Sequence, residues 1–235
     1  MTNICILGNS HVGSLKRGWD AIYNDYQQIR ITFFAQRSDG IEGLIVHDGK
    51  LIPNNEDLMN ALAFTSGGKT DILPDDYDVF IIYGVGAHVN FDIHSQFYSR
   101  TVIESTIKDL VVDTLSFKLL QRLRKITSKP IYIGHMPLLA ATQVQLEASP
   151  NDYLARVELI NEIIYRPFHA EMVKQPVFTI VNGNNTHPRF SKDSKRLAIG
   201  DQYDDQHHPD EDIDHMNDQF GEIWLKEYFE NYLRI

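Results

Sequence analysis

Ile4-Cys5-Ile6-Leu7-Gly8-Asn9-Ser10-His11 is an apolar run that ends in a polar turn, close to the start of the chain. A short apolar run of this kind is typical of a strand that is buried on both faces. Beyond the turn, apolar side chains recur with the period of a helix, at Val12, Leu15, Trp19, Ile22, Tyr23 and Tyr26. A strand followed directly by a helix is the opening unit of an α/β sheet. It places the Ser10 hydroxyl at the carboxyl edge of that sheet, where such folds bind their ligands.

The rest of the chain continues this alternation of strands and helices. Further strands are predicted at Ile29–Ala35, 78–83, 130–134 and 177–181, and helices at 100–127, at 151–174 with a kink at Pro167, and from Asn217 or Asp218 onward. Alternating elements predict a parallel sheet with helices on both faces, because right-handed crossovers place them there. We therefore expect a three-layer α/β/α sandwich of the flavodoxin-like type, with five parallel strands in the order 2-1-3-4-5.

A small β-hairpin is predicted between the second strand and the next helix. Two short apolar runs, 44–46 and 51–52, flank His47-Asp48-Gly49-Lys50. Both central residues of a type I′ turn need a positive φ angle, which makes an Asp-Gly pair between apolar runs a hairpin signal. The stretch 54–76 is then predicted to be a helix-containing connection to the third strand of the sheet.

Composition and charge limit what the chain can be. Its 235 residues, 43% of them hydrophobic, are enough for one large α/β domain, and we expect a single domain over residues 1–235. The 22 basic residues are outnumbered by 32 acidic ones, so the formal net charge of −10 disfavours a nucleic-acid partner. No apolar stretch approaches the ~18 residues that span a bilayer, and the single cysteine, Cys5, suits a reducing compartment. We expect a cytoplasmic protein with no membrane partner.

A second polar segment carries a histidine just before the predicted final helix. Its sequence is Asp210-Glu211-Asp212-Ile213-Asp214-His215-Met216-Asn217-Asp218. A carboxylate three residues before a histidine can accept a hydrogen bond from the Nδ1 atom, and the Nε2 atom is then free to act as a base. Asp210 and Asp214 compete with Asp212 for that role.

Together these two segments resemble the SGNH hydrolase family, also called GDSL-type esterases and lipases. In that family an amino-terminal block with a G-D-S core carries the nucleophile, and a carboxyl-terminal D-x-x-H block carries the rest of a catalytic triad. Here the blocks are Gly8-Asn9-Ser10-His11 and Asp212-Ile213-Asp214-His215. The resemblance implies that Ser10 is the nucleophile, that His215 is the general base and acid, and that Asp212 orients His215.

The resemblance also implies an oxyanion hole, and here the chain departs from the family. The family uses the N–H of the nucleophile, a glycine N–H after the second strand, and an asparagine side chain in a G-x-N-D block after the third. Gly40 is the first choice for the glycine and Gly43 the second, whereas Gly86 stands where the asparagine is expected. Loss of one such donor costs about a hundred- to a thousandfold in rate. The candidate replacements are His88, Asn90 and the Gly86 N–H.

Other interpretations of these residues are open at this point. Ser10 can instead cap the first helix, and His11 is interpreted as a loop residue beside the site. His207 and His208, with aspartates at 204, 205 and 210, offer metal-ligand chemistry, but their spacing matches no known ligand pattern, so we expect no metal. The segment 8–13 lacks the spacing of a dinucleotide fingerprint, and no cofactor is expected.

The function that the resemblance implies is hydrolysis of a carboxylic ester by a Ser-His-Asp triad. We expect a small acyl group, such as acetyl, carried by a carbohydrate or a small metabolite. Transfer of the acyl group to a sugar hydroxyl is equally compatible with these residues, because exclusion of water from the pocket decides between the two reactions. The alternative from another class is a binding module that keeps the fold but has lost turnover, and the missing asparagine motivates it.

Overall fold

The computed structural model describes residues 1–91, 98–145 and 148–234. In chain order its strands are β1 (Thr2–Gly8), β2 (Ile29–Ala35), β3 (Leu44–His47), β4 (Lys50–Pro53), β5 (Val79–Tyr83), β6 (Ile131–Gly134), β7 (Ala170–Val173), β8 (Ile180–Val181) and β9 (Asn185–Thr186). Its α-helices are α1 (Val12–Ile22), α2 (Glu56–Ser66), α3 (Arg100–Val111), α4 (Leu115–Arg124), α5 (Asn151–Ile160) and α6 (Asp218–Tyr228). None of the helices within these ranges has both the length and the apolar character that crossing a membrane requires.

Five of the strands form one parallel sheet in the order β2-β1-β5-β6-β7. The first strand lies between the second and the fifth, and its last residue, Gly8, pairs with both Ala35 and Tyr83. Because β3 and β4 lie outside the sheet, this order is the predicted 2-1-3-4-5 when only the strands of the sheet are numbered. The structure therefore confirms the predicted α/β sandwich with a five-stranded parallel sheet.

Helices cover both faces of the sheet and enclose two hydrophobic cores. On β1, Ile4 and Ile6 face the core that α1 and α6 close, whereas Cys5 and Leu7 face the core that α2 to α5 close. All four side chains are fully buried. A strand buried on both faces has to be apolar at every position, which explains the continuous apolar run of β1. Burial also raises the pKa of the Cys5 thiol well above its ordinary value.

The inserted hairpin forms as predicted. Strands β3 and β4 pair in antiparallel fashion, with His47 opposite Lys50. Asp48 and Gly49 adopt φ angles of 47° and 76°, and a type I′ turn requires positive values at both positions. The hairpin is a separate two-stranded unit beside the main sheet.

The position of the fifth strand of the sheet differs from the prediction. β7 lies inside the stretch predicted as a helix, whereas 177–181 forms a 3-10 turn and the short β8, which pairs with β9. The helical segment that begins with α5 ends at Phe168, because His169 takes a left-handed conformation with a φ angle of 52°. Asn161 then hydrogen-bonds the N–H and the C=O of Met172, at 2.5 and 3.0 Å, and so covers the outer edge of β7.

Two local features account for the remaining differences from the predicted elements. Val177 and Phe178 have the apolar character of a strand, yet they are 45% and 55% exposed. The helix predicted over 100–127 divides into α3 and α4 at Thr114. The Thr114 side chain accepts a hydrogen bond from the Phe117 N–H at 3.3 Å, so it caps the second helix.

Helices α1 and α6 cross at a very short distance through two glycines. A Cβ atom on Gly221 would lie 1.9 Å from the Ser14 carbonyl oxygen, and one on Gly18 would lie 2.4 Å from the Glu222 nitrogen. Asn217 is the N-cap of α6, one of the two predicted choices. Both helices begin directly after the polar segments identified in the sequence, so their crossing brings those segments together.

Candidate active site

Ser10 lies in the turn between β1 and α1, at the carboxyl edge of the sheet. Gly8 lets this turn start close to the neighbouring strand, because a Cβ atom at Gly8 would lie 2.4 Å from the Tyr83 carbonyl oxygen. The Gly13 N–H donates to the Ser10 carbonyl at 3.1 Å and closes the turn. The N–H of Ser10 itself has no acceptor within the described part of the chain, so it is free to bind a ligand.

The structure brings Ser10, His215 and Asp212 into one hydrogen-bonded series. Ser10 Oγ lies 3.0 Å from His215 Nε2, and His215 Nδ1 lies 3.0 Å from Asp212 Oδ2. The carboxylate can only accept, so Nδ1 carries the proton and Nε2 accepts from the Ser10 hydroxyl. This is the tautomer that a general base requires. In the structure the Ser10 side chain does not cap α1, because the N-cap residue of that helix is His11.

Asp212, rather than Asp210 or Asp214, is the carboxylate that orients His215. Its Oδ1 accepts the N–H of His215 at 2.8 Å and the N–H of Asp214 at 2.9 Å, so one tight turn holds the pair. Burial alone would raise the pKa of Asp212, but hydrogen bonds from the N–H and the ring of His215 outweigh burial and lower it. Asp212 is therefore a charged carboxylate, and it can balance a positive charge on the imidazole ring of His215.

Two further histidines stack on the His215 ring. The His208 ring lies 3.9 Å away between centroids with 10° between the planes, and the His11 ring lies 4.8 Å away with 19°. His208 Nδ1 also lies 3.3 Å from Asp212 Oδ2, so one carboxylate oxygen serves two imidazoles. Burial, reinforced by the neighbouring His215, lowers the pKa of His208 to about 4 and that of His11 to about 3. Near neutral pH both rings are therefore uncharged, and they cover the His215 ring without adding positive charge beside it.

The sequence pattern marks His208 only as a possible metal ligand and does not reveal its contacts with Asp212 and His215. Within the described residues, His208, Asp212 and His215 form a group whose ligand atoms lie within 4.8 Å of one another. The two stacked rings are nearly parallel, so the lone pairs of their nitrogens do not converge on one point as a tetrahedral metal site requires. The geometry thus favours a shared carboxylate over a metal site. The four-residue spacing of His208 and Asp212 indicates a contact only in a helix, and this segment is a loop.

Gly40 does not offer the free N–H that the resemblance implies. It begins the 3-10 turn Gly40–Gly43, and its N–H donates to the Arg37 carbonyl at 3.2 Å. The cleft that Gly40 lines is formed with Gln36, Arg37, Asn55, Asp57 and Leu58, none of which belongs to the triad. A second oxyanion donor from this loop therefore stays a prediction, and Gly40 can supply it only in another loop conformation.

The turn after β5 contains three consecutive residues with positive φ angles, which are 73° at Gly84, 48° at Val85 and 79° at Gly86. The Ala87 N–H closes the turn by donating to the Gly84 carbonyl at 3.1 Å. Val85 is buried and β-branched, and such a residue rarely adopts this conformation, so the turn stores strain. The turn borders the segment that carries Ser10, because a Cβ atom on Gly84 would lie 2.5 Å from Asn9 Oδ1. The Gly86 N–H has no acceptor among the described residues.

His88 and Asn90 line a cleft of about 240 Å³ together with Asp214, the residue before His215. The apolar part of its wall comes mainly from the segment after β6, namely Met136, Pro137, Leu138 and Leu139. Asn90 Oδ1 accepts a hydrogen bond from Asn184 Nδ2 at 3.0 Å, which leaves the Asn90 NH₂ group for a ligand. The structure thus places two of the predicted site residues in a cleft that also includes Asp214, the chain neighbour of His215.

A buried polar network holds the segment that forms the apolar wall. His135 Nε2 accepts from the Tyr153 hydroxyl at 2.8 Å, and its Nδ1 donates to the Met136 carbonyl at 2.6 Å. The Tyr153 hydroxyl accepts the Gln175 N–H at 2.5 Å, and Gln175 Oε1 accepts the Leu138 N–H at 3.0 Å. Burial lowers the pKa of His135 to about 4. His135 is therefore a neutral structural residue beneath the cleft.

A serine, a histidine and an aspartate in hydrogen-bonded series beside a cleft can perform nucleophilic catalysis. The fold alone does not imply this chemistry, because sheets of this type support many unrelated functions. A scan against protein-family models and a search of curated proteins found no match for this chain.

Proposed function

We propose that the protein is a serine hydrolase of the SGNH type, which cleaves a carboxylic ester through Ser10, His215 and Asp212. One observation carries the proposal, namely the 3.0 Å distances from Ser10 Oγ to His215 Nε2 and from His215 Nδ1 to Asp212 Oδ2. These residues come from opposite ends of the chain, yet donors and acceptors follow one another in the order that nucleophilic catalysis requires.

Acylation begins when His215 Nε2 takes the Ser10 proton and Oγ bonds to the carbonyl carbon of the ester. Asp212 stabilises the resulting imidazolium, which then donates its proton to the departing alcohol oxygen as the ester C–O bond breaks. In the second half, His215 takes a proton from water, and the hydroxide bonds to the acyl carbon. The bond to Oγ breaks, the proton returns to Ser10, and the acid leaves.

Stabilisation of the oxyanion is the least complete part of the proposed mechanism. The free N–H groups of Ser10 and Gly86 lie on the two turns that meet at Gly84, and we assign them as its donors. Gly86 stands where the family has its asparagine. Because loss of one such donor costs about a hundred- to a thousandfold in rate, we expect slow turnover compared with an enzyme that has all three donors.

The cleft beside the triad supports a small substrate. Its volume is about 240 Å³, and its lining combines His88, Asn90 and Asp214 with an apolar wall. Polar groups that converge on an apolar surface suit a hydroxyl-bearing molecule with a short acyl chain. A small acyl group such as acetyl, carried by a carbohydrate or a small metabolite, is the substrate class that we propose.

The test is the replacement of the nucleophile. Ser10→Ala is expected to lower kcat/KM on 4-nitrophenyl acetate by roughly a thousandfold or more, because the residues of a triad act as a unit. A fluorophosphonate probe is expected to label the parent protein at Ser10, as located by mass spectrometry of a protease digest. Ser66→Ala, at the end of α2, is the matched control and keeps both activity and labelling.

Two results would overturn the proposal. If Ser10→Ala hydrolyses the ester as fast as the parent, the nucleophile is wrong. If the folded parent neither turns over esters nor reacts with the probe, the protein is the binding module that the missing asparagine suggests.

A further inference from the structure

Asp214 brings a carboxylate into the cleft beside the catalytic base. Its side chain is exposed, and it lines the cleft together with His88 and Asn90. Within the described residues this carboxylate has neither a salt bridge nor a hydrogen bond, and only the N–H of Asp214 is used, by Asp212. The described lining of the cleft contains no lysine or arginine that would neutralise it. The charge of Asp214 is therefore available to whatever occupies the cleft.

The chemistry of ester cleavage assigns this cleft to the alcohol part of the substrate. His215 has to donate a proton to the departing alcohol oxygen, so that oxygen lies within hydrogen-bond reach of Nε2. Asp214 is the chain neighbour of His215, so the cleft that Asp214 lines adjoins the residue that we propose as the proton donor. The lining suits an alcohol with several hydroxyl groups, because Asn90 offers a donor and Asp214 offers acceptors.

We propose that Asp214 selects substrates by the charge of their alcohol part, so that uncharged polyhydroxyl alcohols and cationic alcohols are accepted and anionic ones are rejected. This inference rests on the proposed esterase function. A carboxylate accepts hydrogen bonds from hydroxyl groups and attracts a cation, but it repels a carboxylate or phosphate in the same place. The net charge of −10 acts in the same direction at longer range. The substrate class is then esters of neutral or amino-bearing sugars, rather than of acidic or phosphorylated ones.

Two acetate esters with oppositely charged alcohol parts test this inference. The probes are acetylcholine and 4-acetoxybenzoate, with acetate release followed by NMR at pH 8. Asp214→Asn is expected to lower the ratio of kcat/KM for the cationic to the anionic ester by about tenfold, since one charge acts on the two probes in opposite directions. The intrinsic reactivities of the probes cancel when the variant's ratio is divided by the parent's ratio.

Glu211→Gln is the matched control, because Glu211 is an exposed acidic residue of the same segment outside the described lining of the cleft. Glu211→Gln removes one negative charge, as Asp214→Asn does. Its ratio of kcat/KM for the two esters is expected to differ from the parent's ratio by less than about twofold, since solvent and salt screen a more distant charge. Asp214→Ser removes the charge with a smaller side chain, and it has to shift the ratio as Asp214→Asn does.

Failure of this inference is distinguishable from failure of the proposed function. If hydrolysis depends on Ser10 but the ratio is the same in Asp214→Asn and the parent, the esterase proposal stands and the role of Asp214 is wrong. The role is also wrong if the two Asp214 variants shift the ratio differently. Hydrolysis that persists in Ser10→Ala overturns both.

Discussion

His11 and His135 are neutral in the folded protein, because burial lowers their pKa values to about 3 and about 4. A histidine in an unfolded chain titrates at about pH 6.5. As the pH falls from about 6.5 toward 4, the unfolded chain binds protons that the folded protein excludes. The stability from these two groups is therefore complete above pH 6.5 and is lost on acidification. We expect the free energy of unfolding to fall by up to about 1.4 kcal/mol per pH unit for each histidine, measured by chemical denaturation.

His135→Gln isolates one of these contributions. The variant is less stable at every pH because it disturbs the buried network, but the slope of its unfolding free energy against pH should be shallower by about one proton. Identical slopes for the parent and His135→Gln would contradict the assignment of His135 as a buried neutral group.

The contacts of Asp212 show which parts of the site could be predicted from the sequence. Its pairing with His215 is local, since three residues separate them and one turn connects them, and the D-x-x-H block was sufficient to predict it. His208 reaches the same carboxylate through the path of a loop, held by its N–H bond to the Ser194 carbonyl at 2.9 Å. No pattern within the chain specifies that path. The oxyanion donors could not be predicted from the sequence either, because the Gly40 N–H donates to a carbonyl within its own turn.

Among the elements, strands with strong local signals were predicted correctly and weakly marked ones were not. β1 has an unbroken apolar run from Ile4 to Leu7, and the hairpin has an Asp-Gly turn, so both could be predicted from the sequence alone. β7 has only four residues, and it becomes a strand because it pairs with β6 and because Asn161 covers its edge. Such tertiary contacts override local propensity, which is why β7 was predicted as helix.

The crossing of α1 and α6 is expected to be intolerant of any added side chain. Gly221→Ala would place a methyl group 1.9 Å from the Ser14 carbonyl oxygen, so the helices have to separate. We expect a loss of about 1–3 kcal/mol in the free energy of unfolding, even though alanine favours a helix over glycine by about 1 kcal/mol. Activity should fall further than stability predicts, because Ser10 and His215 precede these two helices. Chemical denaturation and kcat/KM measured on the same sample check both.

Gln219→Ala provides the comparison, because it introduces alanine at an exposed position of the same helix. It should change the free energy of unfolding by less than about 0.5 kcal/mol. A Gly221→Ala protein as stable and as active as Gln219→Ala would show that the close crossing does not matter.

At the scale of the whole molecule, two arginines hold the segment that carries His215. Arg37, just after β2, donates to the Leu197 carbonyl at 2.8 Å and bonds to Asp201 and Asp204. Arg17, on α1, bonds to the Lys195 carbonyl at 2.8 Å and pairs with Asp205 and Asp218 at 3.2 and 2.6 Å. These contacts connect the amino-terminal half of the fold to the polar segment between β9 and α6. Three acidic residues of this segment, Asp201, Asp204 and Asp205, therefore serve as anchors.

Arg37→Ala is expected to loosen this segment without unfolding the sheet. Loss of its charge-assisted hydrogen bonds should cost about 1–3 kcal/mol, and kcat/KM should fall because Asp212 and His215 lie further along the same segment. Trypsin should then cleave faster at Lys195 and Arg196, as followed by mass spectrometry. Arg30→Ala, an exposed residue of β2 with no salt bridge among the described residues, is the control. Equal cleavage rates in the two variants would argue against the anchoring role.

The hydrogen bond between Ser10 and His215 joins residues 205 positions apart. During synthesis β1 emerges before α6, and it can pair with β2 and β5 while α6 is still inside the ribosome. A nascent chain therefore displays Ser10 long before it contains His215, the base that we propose. Docking of α6 onto α1 brings Ser10 and His215 together, and the proposed hydrolytic activity should appear only after that step of folding.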